Sequence, residues 1–216
     1  MNLEVEIKLT ARTPAVLEAV LEDARVCALT ESGSARRKQL DSVYYDSHNR
    51  ALLAAQLAFR ARHDGEKVRV TVKGTQESLD NGLSRRPEWE EQSHHPLTCF
   101  GDLPDGTLKN TVLAVVPPHT PLVPLLTTRM IRRTLILGIP DASGGYSRVE
   151  LAADHGNIEA NGQRLPLCEL ELELLDGPLD PVLDFARDLA QRHDLTPSSQ
   201  SKFSLGLSLY ADSQFY

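Results

Sequence analysis

Two segments carry residues that could do chemistry: Glu4-Val5-Glu6-Ile7-Lys8 and Cys168-Glu169-Leu170-Glu171-Leu172-Glu173-Leu174. Both alternate with a period of two, the mark of a half-buried strand. In each, one face is apolar (Leu3, Val5, Ile7, Leu9; then Leu170, Leu172, Leu174) and the other collects carboxylates. Same-face neighbours on a strand stand about 6.5–7 Å apart. Ionised carboxylates that close repel unless something positive holds them, and Mg²⁺ or Mn²⁺ take oxygen ligands of this kind. Either segment alone also fits a strand that shows its charges to water. Recurrence of the pattern on other strands favours a metal site.

That recurrence is visible along the chain. Arg60 and Arg62 share one face of Leu57–Arg62, and Arg69, Thr71 and Lys73 share a face opposite Val68, Val70 and Val72. Arg86, Glu88 and Glu90 alternate with Pro87, Trp89 and Glu91, and Arg148, Glu150 and Asp154 lie opposite Val149, Leu151 and Ala153. Arg129 and Arg133 flank Ile131, while Arg132 and Thr134 make the other face of that strand polar as well.

The elements that must position these residues are mostly strands. A strand over 2–10 leads through Thr13-Pro14 into an amphipathic helix with Leu17, Val20 and Leu21 on one side. Strands follow at 36–46, 56–63, 66–74 and 83–92, with a short helix at Leu52-Leu53 and a hairpin signal at Asp64-Gly65. The stretch 96–121 reads as an excursion holding one helical piece around 107–116. Strands resume at 127–138 and 146–154 with Gly144-Gly145 between them. His155-Gly156 reads as a turn into a short strand at 157–161, Asn161-Gly162 as a hairpin, and 165–175 as the late acidic strand. A helix over 178–193 buries Val182, Leu183, Phe185, Ala186 and Leu189, and 202–210 reads as a closing strand. The helices must bury their apolar stripes, and the apolar strand faces are the available partner. The expected fold class is α+β, mainly β; if the helices pack outside a closed sheet, the charged faces point inward, and a barrel of about eight strands can enclose side chains or one small ligand.

Composition narrows the function classes. Of 216 residues, 41% are hydrophobic and 25% charged, as in ordinary globular domains. A net charge of −7 argues against a general nucleic-acid or anionic-membrane binder. No segment has the length of a membrane span, the start is no signal peptide, and Cys27, Cys99 and Cys168 form no zinc spacing. The cysteines are expected to be reduced and buried, and the protein cytoplasmic. The seven histidines are expected in loops and on the surface rather than as ligands. No Walker-type phosphate loop and no Ser-His-Asp or Cys-His constellation is evident.

In this order, Glu4–Lys8, Asp41-Ser-Val-Tyr-Tyr-Asp46, Leu57-Ala-Phe-Arg60-Ala-Arg62, Val70-Thr-Val-Lys73-Gly74, Arg86-Pro-Glu88-Trp-Glu90, Val149–Gly156, Cys168–Glu173 and Ser201-Lys202-Phe-Ser-Leu-Gly206 make the chain resemble CYTH-domain proteins, the triphosphate tunnel metalloenzymes. The likeness spans nearly the whole chain and is strongest toward bacterial inorganic triphosphatases. It implies an eight-stranded antiparallel β-barrel, a tunnel with helices packed outside, in one CYTH domain over 1–216 without the helical CHAD domain some relatives carry. It further implies metal-side carboxylates at Glu4, Glu6, Asp154, Glu169 and Glu171. Lys8, Arg60, Arg62, Lys73, Arg133 and Lys202 would clamp phosphate oxygens, with Arg129 as an addition and Glu88 orienting the cations. The implied activity is Mg²⁺- or Mn²⁺-dependent hydrolysis of inorganic triphosphate or another triphosphorylated small molecule, without nucleic-acid or membrane partners. Thiamine triphosphatase, class IV adenylate cyclase, a non-catalytic polyphosphate binder and a homodimer stay open as alternatives.

Overall fold

In the computed structural model, which describes residues 2–64 and 67–211, ten strands form one antiparallel sheet. Eight of them close into a ring: β1 (Asn2–Thr10), β9 (Gln163–Asp176), β8 (Tyr146–Ala160), β7 (Val123–Pro140), β2 (Arg36–Asp46), β3 (Ala58–Asp64), β4 (Lys67–Lys73) and β6 (Leu83–Ser93). The β1–β6 pairing closes it. Two-residue strands β5 (Glu77–Ser78) and β10 (Thr196–Pro197) add to the edges of β6 and β1. The expected barrel is present.

Alternation fixes what faces out. Ile7, Leu9, Leu151, Leu170 and Leu172 form one outer core with α1 (Pro14–Leu21), α2 (Ala24–Leu29) and α5 (Asp180–His193), which contribute Leu17, Val20, Val26, Val182, Phe185 and Leu189. Burying each such side chain contributes about 1.5–3 kcal/mol. A second outer core joins Phe59, Ala61, Val70 and Val72 to α3 (Ala51–Ala54) and α4 (Thr107–Leu113). Trp89 packs here, as its alternation opposite Glu88 and Glu90 requires. Asp46 accepts from the amides of Leu52 and Leu53 and so ties α3 to the end of β2.

Parts of the fold differ from the sequence reading. Residues 146–160 are one strand, with Gly156 paired to Met130 in mid-ladder. A Cβ at Gly156 would stand 2.0 Å from the Arg129 carbonyl oxygen, so glycine there serves close strand approach, not a turn. The predicted closing strand is a helix, α6 (Lys202–Ala211). Phe203, Gly206, Leu209 and Tyr210 give it a stripe at helical spacing, which the alternation of Phe203, Leu205, Leu207 and Leu209 obscures. Nor does α6 pack outside. Its Phe203, Leu205 and Leu209 lie against Leu40, Tyr44, Leu126, Met130, Ile158 and Leu167, whose parity is that of the inward Ser42, Arg132, Asp154 and Glu169. Gly206 makes this docking tight, since a Cβ there would meet Leu126 at 2.5 Å.

Helix α2 was not foreseen, and its Cys27 is exposed because Val26 is the residue that helix buries. Cys99 and Cys168 are half-buried, so the expectation of buried cysteines fails, although all three are free thiols. Gly65 of the expected Asp64-Gly65 turn lies outside the described residues, while the β3–β4 ladder around it is present. Asn161-Gly162 does form the β8–β9 turn, both residues at positive φ (51° and 71°). Among the described residues no helix is long and apolar enough to cross a membrane.

Candidate functional site

An open cavity of about 1330 Å³ runs into the ring, and charged residues are the largest group in its lining. Ladder register puts carboxylates from three strands side by side: Glu6 is level with Glu173, Asp154 with Glu169, and Glu150 with Glu173. From Asp154, Glu169 and Glu171, one oxygen each lies within 4.8 Å of the others. Lys202, at the start of α6, enters this group. Its ammonium donates to Asp154 at 2.9 Å, to Glu171 at 3.0 Å, and to Glu169. Arg132 binds Asp154 through both forks at 2.7 Å and Glu171 at 2.5 Å.

Glu4 and Glu6 face the same cavity but belong to a second network. Arg86 reaches Glu4 at 2.5 Å and Glu6 at 3.1 Å, and Lys73 reaches Glu4 at 2.8 Å and Glu88 at 3.3 Å. Lys8 joins the networks, 3.4 Å from Glu6 and 3.7 Å from Glu171. Arg60 and Arg62 differ from all these cations. They bond to the hydroxyls of Thr71 (3.0 Å) and Ser42 (3.1 Å), and among the described residues neither has a carboxylate partner.

The electrostatics follow this split. Burial, Arg60 and Arg132 push the Arg62 guanidinium down to about 10, an environment that favours an arriving anion. Against burial, Lys73 and Arg86 hold the Glu4 carboxyl down at about 2. Burial pushes Glu169 up to about 7 despite Lys202, with Glu171 adding to the rise, and its buried Oε2 has no hydrogen-bond partner among the described residues. Burial, then Glu4 and Glu150, also push Glu173 up to about 7. Lys202 resists burial and lies well above the usual ammonium value because Asp154, Glu169 and Glu171 surround it.

Of the expected site residues, Glu4, Glu6, Lys8, Arg60, Arg62, Lys73, Glu88, Asp154, Glu169, Glu171 and Lys202 come together in the tunnel. Arg133 and Arg129 do not. Arg133 points outward to Glu18 of α1, and exposed Arg129 meets Glu159 at 3.5 Å. Arg132 takes the inward position on β7, because its odd-numbered neighbours have the opposite parity. The outer face of β7 is polar there since α1 supplies Glu18, so alternation could not separate the two faces. Arg86 was passed over although its alternation with Glu88 signalled an inward side chain. Tyr44, stacked on Phe203 at 5.3 Å, was missed with α6.

Comparison with known proteins agrees with this architecture. An inorganic triphosphatase of Haemophilus influenzae is 27% identical over 167 residues, or 77% of this chain and 45% of its own length. The chain thus spans less than half of that relative. Among solved structures, a Hippeastrum protein described as an adenylyl cyclase with a dominant triphosphatase activity has a TM-score of 0.70 at 18% identity, covering 95% of each chain. A Pyrococcus horikoshii protein has a TM-score of 0.53 at 19% identity over 95% of this chain and 98% of its own. These structures speak to the fold. The CYTH domain pattern matches residues 2–205, and the chain belongs to the CYTH family.

Proposed function

We propose that the tunnel hydrolyses inorganic triphosphate to pyrophosphate and phosphate with Mg²⁺ or Mn²⁺. The observation that carries this reading is the two-sided interior: a tight carboxylate group at Asp154, Glu169 and Glu171, and a cationic side whose Arg60 and Arg62 lack carboxylate partners among the described residues. The name of the Haemophilus influenzae relative supports it.

The donor set fits a hard divalent cation. It offers only carboxylate oxygens, and the buried Glu169 Oε2 has no hydrogen-bond partner among the described residues. Asp154, Glu169 and Glu171 would hold the ion, with Glu4 and Glu6 completing the acidic side of the cavity. Bound there, it would supply Lewis-acid polarisation of phosphoryl oxygens. The chain's own part is positioning and charge neutralisation, which is most of what phosphoryl transfer asks of a protein. The planar forks of Arg60 and Arg62 suit phosphate oxygens, and Lys8, Lys73, Arg132 and Lys202 add compact or forked positive charge along the cavity. Glu88 orients Lys73.

Few inward side chains could recognise a base or a sugar, so binding energy would come from the phosphates. An organic group whose polar atoms stay unpaired costs about 1–3 kcal/mol, so triphosphate should exceed ATP in kcat/KM by at least about tenfold. Phosphate release from triphosphate, ATP, thiamine triphosphate and pyrophosphate, with metal and with chelator, tests the reading. Comparable turnover of ATP and triphosphate would reject the preference. Triphosphate binding without any metal-dependent release would make the domain a binder.

A further inference from the structure

Arg86 stands on the inner face of β6, directly across from Glu4 in the β1–β6 ladder. All three of its nitrogens are engaged. Nε donates to Glu4 Oε2 at 2.5 Å, Nη2 to Glu6 Oε1 at 3.1 Å, and Nη1 to Gln76 Oε1 at 3.3 Å. Its side chain is only 9% exposed, and each of its nitrogens already donates to a side-chain oxygen of the protein. Its charge is committed to the two carboxylates of β1.

Those carboxylates in turn place two lysines. Glu4 receives the Lys73 ammonium on both oxygens, at 2.8 and 3.0 Å. Glu6 receives Lys8 at 3.4 Å. Both lysines line the cavity, and neither comes from the strand that carries Arg86. One guanidinium on β6 therefore sets the spacing of two carboxylates on β1, and they hold one ammonium from β4 and one from β1.

We propose that Arg86 is a positioning residue for the substrate. Its planar fork holds Glu4 and Glu6 at a fixed separation, and these carboxylates in turn hold the Lys73 and Lys8 ammoniums at set places on the cavity wall, where phosphate oxygens would meet them. The inference rests on the triphosphate reading of the tunnel. Charge alone does not meet the need. Three carboxylates (Glu4, Glu6, Glu88) face three cations (Arg86, Lys73, Lys8), and removal of Arg86 leaves the two lysines in a net negative cage. A lysine at position 86 would restore the count but not the geometry, because a point charge cannot hold two carboxylates at a fixed separation as a fork does.

The test compares Arg86→Lys, Arg86→Gln and Arg86→Ala with the unmodified chain, reading inorganic triphosphate affinity by calorimetry and KM and kcat by phosphate release. The expected result is an affinity loss of at least about tenfold, or about 1.4 kcal/mol, in both Arg86→Lys and Arg86→Gln. The loss should appear in KM more than in kcat. Methylguanidinium, and not methylammonium, should restore binding to Arg86→Ala, since the site opens to the cavity. A role confined to stability would lower the melting temperature without this choice between the two cations. Arg86→Lys conserves charge and most of the side-chain volume, which keeps a folded variant in the comparison. Triphosphate affinity of Arg86→Lys within twofold of the unmodified chain would overturn the role of Arg86 alone. Failure of the unmodified chain itself to bind triphosphate would overturn the tunnel reading and this inference together.

Discussion

Removing the Lys202 ammonium should loosen the empty protein and strengthen its response to a divalent cation. Lys202 begins α6, where a positive charge opposes the helix dipole. It is held there by Asp154 at 2.9 Å, Glu171 at 3.0 Å and Glu169, all inside the tunnel. It therefore stands where the proposed cation would. Breaking a buried ion pair by deleting one partner costs about 3–5 kcal/mol. Arg132, bound to Asp154 and Glu171, remains as a counter-charge, so Lys202→Gln should fall at the lower end of that range. For a domain of this size the loss corresponds to a melting temperature lower by about 6–12 °C with chelator present. The cation should then recover more than it gives the unmodified chain, because it no longer displaces an ammonium. A ligand at a hundredfold its dissociation constant contributes about 2.7 kcal/mol, or about 5–11 °C. Triphosphate alone should show the reverse, stabilising Lys202→Gln less, since one cation for its oxygens is gone. Scanning calorimetry with chelator, with Mg²⁺ and with triphosphate separates the two effects. A Mg²⁺-induced shift in Lys202→Gln no larger than that of the unmodified chain would refute the competition.

The exchange of roles on β7 predicts unequal neighbours. Arg132→Gln should reduce phosphate release by at least about tenfold, whereas Arg133→Gln should stay within about twofold and lose at most about 1 kcal/mol with its surface partner Glu18. Equal losses in the two variants would contradict the assignment. Arg60→Ala removes a like charge from beside Arg62, so the melting temperature without ligand should hold or rise while the triphosphate-induced shift shrinks. An unchanged ligand shift would exclude Arg60 from the anion side. Glu173 is pushed up from 4.5 to about 7, by burial first and then by Glu4 and Glu150, so the folded state favours its protonated form. That stabilisation is complete below pH 4.5 and is lost as the pH climbs toward 7. Urea unfolding at pH 4.5 and pH 8 should show Glu173→Gln retaining stability that the unmodified chain loses, and parallel losses would remove Glu173 from the acidic cluster.

Local periodicity carried the reading far where one strand face meets a helix and the other meets only charges. Strand β1 shows Ile7 and Leu9 to α1 and α5 while Glu4, Glu6 and Lys8 turn inward, so its alternation is unbroken and both its bounds and its facing were legible. The facing of β4 and of the acidic half of β9 was legible in the same way, and their bounds to within two residues. On β7 the rule fails for a physical reason: Arg132 is satisfied inside by Asp154 and Arg133 outside by Glu18, so both faces look polar. On β8 a glycine needed for close approach to Met130 imitates a turn. At the C-terminus, Phe203, Leu205, Leu207 and Leu209 satisfy the strand period while the helix uses Gly206 to dock against Leu126. These errors share a cause. Each concerns a residue whose type answers to a partner far along the chain, and partner identity enters only with the register of the closed ring. Arg86 makes the same point from the opposite side. Its inward direction was readable from Glu88 and Glu90, but its grip on both Glu4 and Glu6 exists only because β1 and β6 close the barrel. A tunnel of this kind can therefore be recognised from its alternating strands, whereas the division of its charges into those that hold one another and those left for a ligand follows from closure.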